Sequence, residues 1–187
     1  MKSHSSFLSI GELKEIGLKS LGQNVLISRF ARFYSPESIE IGNNVRIDDF
    51  CILSGNIKLG SFIHISAYCA LYGKFGIEIE DYSGLSPRST LFSASDDFSG
   101  EYLVGPMVPS ELTNVTGGKV IIKRFVQIGT CSVILPNLTI NQGVAIGALS
   151  LVRKSLDEWN IYAGNPLKLI KPRNRKLLKY YEQHFKG

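Results

Sequence analysis

The sequence predicts an all-β solenoid, a parallel β-helix of hexapeptide strands, and three observations carry that prediction. First, aliphatic residues or Phe recur every six positions: Leu21, Ile27 and Phe33; Ile41, Ile47, Leu53, Leu59, Ile65 and Leu71; Ile79, Leu85 and Leu91; then Ile122, Ile128, Ile134, Ile140, Ile146 and Val152. A period of six fits neither the 3.6 of a helix nor the 2.0 of a strand; three short strands per triangular coil give it directly. Second, glycine or another small residue repeatedly follows the aliphatic position (Gly42, Gly60, Ser66, Ser86, Gly129, Gly147), as a tight corner with little room requires. Third, Val25, Ala31, Val45, Cys51, Cys69, Val120, Val126 and Val144 stand two residues earlier, a second inward-pointing set.

Each element follows from that beat. Ser9 and Glu12 predict a capping box over a short helix carrying Ile10, Leu13 and Ile16. The repeat then makes about six coils. The spacing lengthens from six to eight residues between Phe33 and Ile41 and again between Leu71 and Ile79, each reading as a small corner bulge. Cys51 and Cys69 should stack in one file as free thiols. Between Leu91 and Ile122 the beat stops, and such a long loop inside a compact repeat is functional or disordered. Its Phe92, Phe98, Tyr102 and Leu103 favour an ordered arm over a neighbour. Beyond Val152, Leu177, Leu178, Tyr181 and Phe185 among lysines predict an amphipathic helix that caps the open end of the prism. The chain thus reads as one domain, with a helical lead-in (1–20), coils (21–91 and 120–155), a protruding loop (92–119) and a tail with a terminal helix (156–187).

Composition narrows the function. Apolar content of 44% with 20% charged residues suits a globular protein. The N-terminus lacks the apolar block of a signal peptide, which reads as cytoplasmic. From Arg153 onward there are nine Lys/Arg against three Asp/Glu, so the whole basic excess sits at the C-terminal end, where it suits phosphates. No nucleic-acid motif accompanies it. His64 is the one histidine on the repeat, with His4 in the lead-in and His184 in the last helix, so a three-histidine zinc site cannot be assembled on the coils.

Ile128-Gly129, Leu135-Pro136-Asn137, Ile146-Gly147-Ala148 and Gly164-Asn165-Pro166 together resemble the hexapeptide-repeat acetyltransferases, the family of the maltose and galactoside O-acetyltransferases and of sugar acetyltransferases in polysaccharide biosynthesis. The resemblance implies a left-handed parallel β-helix, a homotrimer with active sites between subunits, and acetyl-CoA as co-substrate. It places CoA along a corner near Gly129, Thr130, Gly147 and Ala148, its phosphates meeting Arg153, Lys154, Lys168 and Lys171. Ser66 and Tyr68 match the acceptor-contacting region, and Glu101 and Tyr102 of the loop join them as candidate substrate contacts.

The departure is catalytic. Where the family has a loop histidine as general base, this chain reads Ser95-Asp96-Asp97. His64 should stand at another corner of the prism, so His64 of one subunit would meet Asp96 or Asp97 of the next and rebuild a His–carboxylate pair. An aspartate alone is a weak base for a sugar hydroxyl but adequate for an amine. The expectation is O-acetylation of a saccharide in a ternary complex. The alternatives are N-acetylation of a nucleotide-linked amino sugar and a non-catalytic β-helix scaffold.

Overall fold

The computed structural model describes residues 6–185, and His4 lies outside them. The chain forms a left-handed parallel β-helix of six full coils and part of a seventh. Register follows the six-residue beat. One face aligns Ile27, Ile47, Ile65, Leu85, Ile128, Ile146 and Tyr162 in successive strands. A second aligns Phe33, Leu53, Leu71, Leu91, Ile134 and Val152, and the third aligns Leu21, Ile41, Leu59, Ile79, Ile122 and Ile140. All of these are buried except Leu21 and Phe33, which lie in the first coil and are half-covered. The faces are called A (Leu21 to Ile140), B (Ile27 to Tyr162) and C (Phe33 to Val152), in the order the chain visits them.

Both slips are corner devices between faces C and A. The first is a one-turn 3₁₀ helix, Pro36–Ser38, entered through Ser35 at φ 56°. The second is a register shift in the long strand pair Ile52–Leu59 and Ala70–Ile79.

The glycines after the aliphatic positions meet a different need from a turn. A Cβ on Gly22 would lie 2.3 Å from the Gly42 carbonyl oxygen, and one on Gly42 would lie 2.4 Å from that of Gly60. They are small because the next coil passes against them. The left-handed φ falls further on, on Asn24, Asn44, Phe62, Tyr82, Phe125 and Trp159 at the A–B corner and on Phe50, Tyr68, Arg88, Cys131 and Leu149 at the B–C corner. Each such L-residue costs roughly 1–2 kcal/mol of backbone strain. An inter-coil bond offsets it: the amides of Asn44, Phe62, Tyr82 and Trp159 donate to Gln23, Asn43, Ser61 and Gln142 carbonyls at 2.9–3.0 Å. The side chains then stack as rings, Phe62–Tyr82 at 4.7 Å and Tyr82–Phe125 at 5.4 Å.

The B–C corner has an unforeseen polar lining. Continuing the Cys51 and Cys69 file, Ser89, Ser132 and Ser150 are buried and bond corner carbonyls: Ser89 Oγ donates to Ser86 O at 2.8 Å, and Ser132 and Ser150 Oγ to Gly147 O at 3.1 and 2.7 Å. The thiols behave alike, Cys51 reaching Ser66 O and Cys69 reaching Ser86 O. Burial pushes Cys51 up to about 12 and Cys69 to about 11.

The ends are closed differently from expectation. Helix α1 (Ile10–Glu15) has the predicted capping box and buries Leu13, while Ile10 stays exposed. Helix α2 (Leu177–Phe185) does not cap the C-terminal end. It runs back along the A–B corner, where Tyr181 and Phe185 pack edge-on against Tyr82, and Phe185 reaches Phe62. The helix follows the ring file because its own aromatic residues pack on those rings. Leu156, Trp159 and Tyr162 of the partial seventh coil are buried at the end instead, and Lys168–Pro172 pairs antiparallel with Asn160–Ala163.

Two outcomes are expected. Arg29, with Ser9, holds the Glu12 carboxylate down to about 2 from 4.5, so its stabilisation is present above pH 4.5 and is lost as pH falls toward 2. The melting temperatures of wild type and Glu12→Gln should therefore differ at pH 7 and converge near pH 2. With Ellman's reagent at pH 8, Cys131 alone should react in the native protein and all three thiols after denaturation.

Candidate active site

The predicted acceptor, pantetheine and loop residues fall on two corners of one prism. Ser66, Tyr68, Thr130 and Ala148 all stand on the B–C corner, as do Gly129 and Gly147, where a Cβ would collide with the next coil. Thr130 and Ala148 stack in successive coils, since the Leu149 amide donates to Thr130 O. The second, third and fourth coils contribute an exposed ladder, with Phe50 stacked on Tyr68 at 4.9 Å and the Arg88 guanidinium 5.4 Å over Tyr68. Asp96, Asp97, Glu101 and Tyr102 belong to the arm, which leaves from the C–A corner.

That arm is ordered. Ala94–Ser95 pairs antiparallel with Thr116–Gly117, and Leu103 bridges Thr113. The two aspartates have different jobs. Asp97 turns inward on its own loop: Ser99 Oγ donates to it at 2.8 and 3.0 Å, and the Gly100 and Tyr102 amides donate at 3.0 and 3.4 Å. These bonds, Ser99's first, hold its carboxyl below the usual carboxylate range. Asp96 is exposed, and among the described residues its carboxylate has no hydrogen bond or ion pair. It lies on the wall shared by two clefts. One, of about 490 Å³, adds Tyr72, Lys74, Ser110 and Thr113; the other, of about 440 Å³, adds Phe92, Phe98, Leu135 and Pro136. Glu101 and Tyr102 line neither.

His64 differs from expectation. It sits in mid-face on strand Ile63–Ile65 of face B, not at a corner, and its Nε2 lies 2.7 Å from Asp48 Oδ2 of the same chain. Arg46 Nε donates to the other Asp48 oxygen at 2.7 Å. Burial opposes ionisation of Asp48, but these two partners outweigh it and hold its pKa below the ordinary value. His64 therefore already has its carboxylate. The basic residues do not form one patch within the chain either: Arg153 and Lys154 follow face C, whereas Lys168 and Lys171 lie on the strand flanking face B.

Ser86 was missed as a candidate. It opens the B–C corner in the coil from which the arm leaves, its carbonyl held by Ser89 and Cys69, and Gln127 Nε2 donates to its hydroxyl at 3.4 Å. Its hexad position marked it only as a small corner residue.

A coiled frame with one ordered arm and two clefts meeting at a carboxylate is the arrangement expected of the hexapeptide-repeat acyltransferases. The comparisons agree. No family model matches the chain. It is 44% identical over 176 residues, 92% of each chain, to the dTDP-4-amino-4,6-dideoxy-D-glucose acyltransferase of Escherichia coli. It superposes with a TM-score of 0.94 and 52% identity, over 98% of each chain, on AntD, an N-acyltransferase from Bacillus cereus in complex with dTDP and 3-hydroxybutyryl-CoA. A putative lipopolysaccharide biosynthesis O-acetyl transferase, WbbJ of Escherichia coli, is 27% identical over 82% of each chain. This chain belongs to the hexapeptide-repeat acyltransferases, and it is an enzyme.

Asp97→Ala should loosen the arm. Losing these bonds should speed hydrogen exchange at the Gly100 and Tyr102 amides, with the coils unchanged.

Proposed function

We propose that this chain transfers an acyl group from a coenzyme A thioester to the amino group of a dTDP-linked 4-amino-4,6-dideoxy sugar. The observation that carries this is Asp96, a carboxylate with no partner among the described residues at the meeting of two clefts, where related O-acetyltransferases are expected to place a histidine. A carboxylate suits an amine, which needs only to lose a proton it releases readily near neutrality, better than a hydroxyl. The similarity to the amino-sugar acyltransferases supports the same choice over O-acetylation.

The amine nitrogen attacks the thioester carbonyl carbon and forms the C–N bond. Collapse of the tetrahedral intermediate breaks the C–S bond, and Asp96 relays the nitrogen's proton to the departing sulfur. Ser86 Oγ, with its O–H free of the Gln127 bond, donates to the developing oxyanion. AntD has been crystallised with a serine replaced and with an aspartate ten positions further on replaced. Ser86 and Asp96 stand ten apart, a matching spacing that supports this pairing.

Within one chain, Ser86 and Asp96 are separated by the whole of strand Thr90–Phe92, one at each end of face C. A shared site therefore calls for a second copy, and a homotrimer brings the corner of one prism to the arm of the next. Phe98 and Met107, 93% and 94% exposed on the arm, are the apolar surface such a neighbour would cover. The strip of half-buried Thr130 and exposed Ala148 suits pantetheine. Lys168 and Lys171 with a neighbour's Arg153 and Lys154 suit its phosphates.

With dTDP-4-amino-4,6-dideoxyglucose as acceptor and free-thiol release as readout, Asp96→Asn should lower kcat about 10²–10⁴-fold and Ser86→Ala about 10²-fold. His64→Asn should stay within about tenfold of wild type, and a loss equal to that of Asp96→Asn would return the base role to the histidine. A monomer in sedimentation velocity would refute the shared site.

A further inference from the structure

Ser86 stands apart from the hydroxyls around it. Ser89 Oγ donates to Ser86 O at 2.8 Å and to Gly129 O at 3.1 Å, Ser132 Oγ donates to Gly147 O, and Thr130 Oγ1 donates to Pro87 O. Ser86 Oγ instead accepts, from Gln127 Nε2 at 3.4 Å, and among the described residues its own O–H meets no acceptor. A half-buried hydroxyl whose lone pair is engaged and whose proton is not is set to donate to a group that arrives from outside.

The placement of Gln127 follows from the residue beside it. Gln127 pairs with Gly84 on the outward row of face B, and Gly84 pairs in turn with His64. Gly84 is buried because the Gln127 amide folds over it: a Cβ there would lie 3.0 Å from Gln127 Oε1 and 3.6 Å from Nε2. The missing side chain thus lets the amide lie along the face toward Ser86, two residues further on in the same strand and corner. With Oε1 resting on Gly84, Nε2 is the atom left to face the hydroxyl.

We propose that Gln127 is a positioning residue for acyl transfer: its amide N–H engages Ser86 Oγ and so turns the serine O–H toward the oxyanion. The inference rests on the oxyanion role given to Ser86 above. A serine hydroxyl has three staggered settings, and a bond accepted from one side favours the setting that points the proton away from it. The accepted bond also polarises the O–H that is donated onward.

The test replaces the donor by an acceptor of the same shape. Gln127→Glu offers Ser86 only carboxylate oxygens, so the serine O–H turns back to them and is lost to the oxyanion. With acetyl-CoA, dTDP-4-amino-4,6-dideoxyglucose and free-thiol release, its kcat should fall about 10²-fold, as far as that of Ser86→Ala. Both KM values and the melting temperature should stay close to wild type. Gln127→Ala leaves the hydroxyl free to rotate and should cost about three- to tenfold in kcat, the net worth of one neutral hydrogen bond. Added to Ser86→Ala it should cost nothing further, since both changes act through one hydroxyl. Full kcat in Gln127→Glu, or a Gln127→Ala loss that multiplies with that of Ser86→Ala, would overturn the positioning role and leave the Ser86 reading standing. A silent Ser86→Ala would overturn the oxyanion reading itself and this role with it.

Discussion

The structure depends on the hydrogen bond by which each corner amide reaches the carbonyl of the coil before it. Without it, a bulky residue at positive φ would be plain strain. With it, the left-handed residue becomes the rung that fixes where the next coil starts. Phe62, Tyr82 and Trp159 show the arrangement at one corner, Tyr68, Arg88 and Leu149 at another. Face strands two or three residues long would be marginal alone; stacked in register by these corners, they carry a core of almost uninterrupted Ile, Leu and Val.

Rigid corners also explain how a fold without a deep cavity can hold a reactive arrangement. Backbone amides of the B–C corner are committed to inter-coil bonds, and the interior serines and thiols hold its carbonyls. Side chains projecting from that corner are accordingly well oriented. The arm supplies the opposite quality, an exposed carboxylate on an element tethered by one short strand pair and by the turn around Asp97. Polar precision and apolar reach thus come from different parts of one chain, which is why the proposed site calls for two copies.

The frame was legible because burial in a solenoid is strictly periodic: a residue's place in the hexad decides whether it faces the core, as Cys51 and Cys69 illustrate. The same regularity hid other things. Small residues after the aliphatic position suggested a turn requirement, yet close passage of the next coil is what excludes a Cβ there. The counting that placed His64 outside the core was right, but it put a mid-strand residue at a corner and could not see Asp48, sixteen residues earlier, beneath it. The path of α2 depended on a ring file made by residues scattered from Phe62 to Trp159. Asp96 and Asp97 are identical in sequence terms, and only the local turn separates the one that is bonded from the one that is not.

The arm leaves after Leu91 and the coil resumes at Ile122, which pairs with Ile79 as though nothing had intervened. The two ends of the insertion are therefore held one rung apart by the frame, whatever lies between them. Doubling such a segment costs only about 0.6 kcal/mol in closure entropy, and the coils need not readjust. The insertion is in effect an exchangeable cassette: its length and lining can change, and with them the molecules admitted beside Asp96, while the scaffold that positions it stays the same.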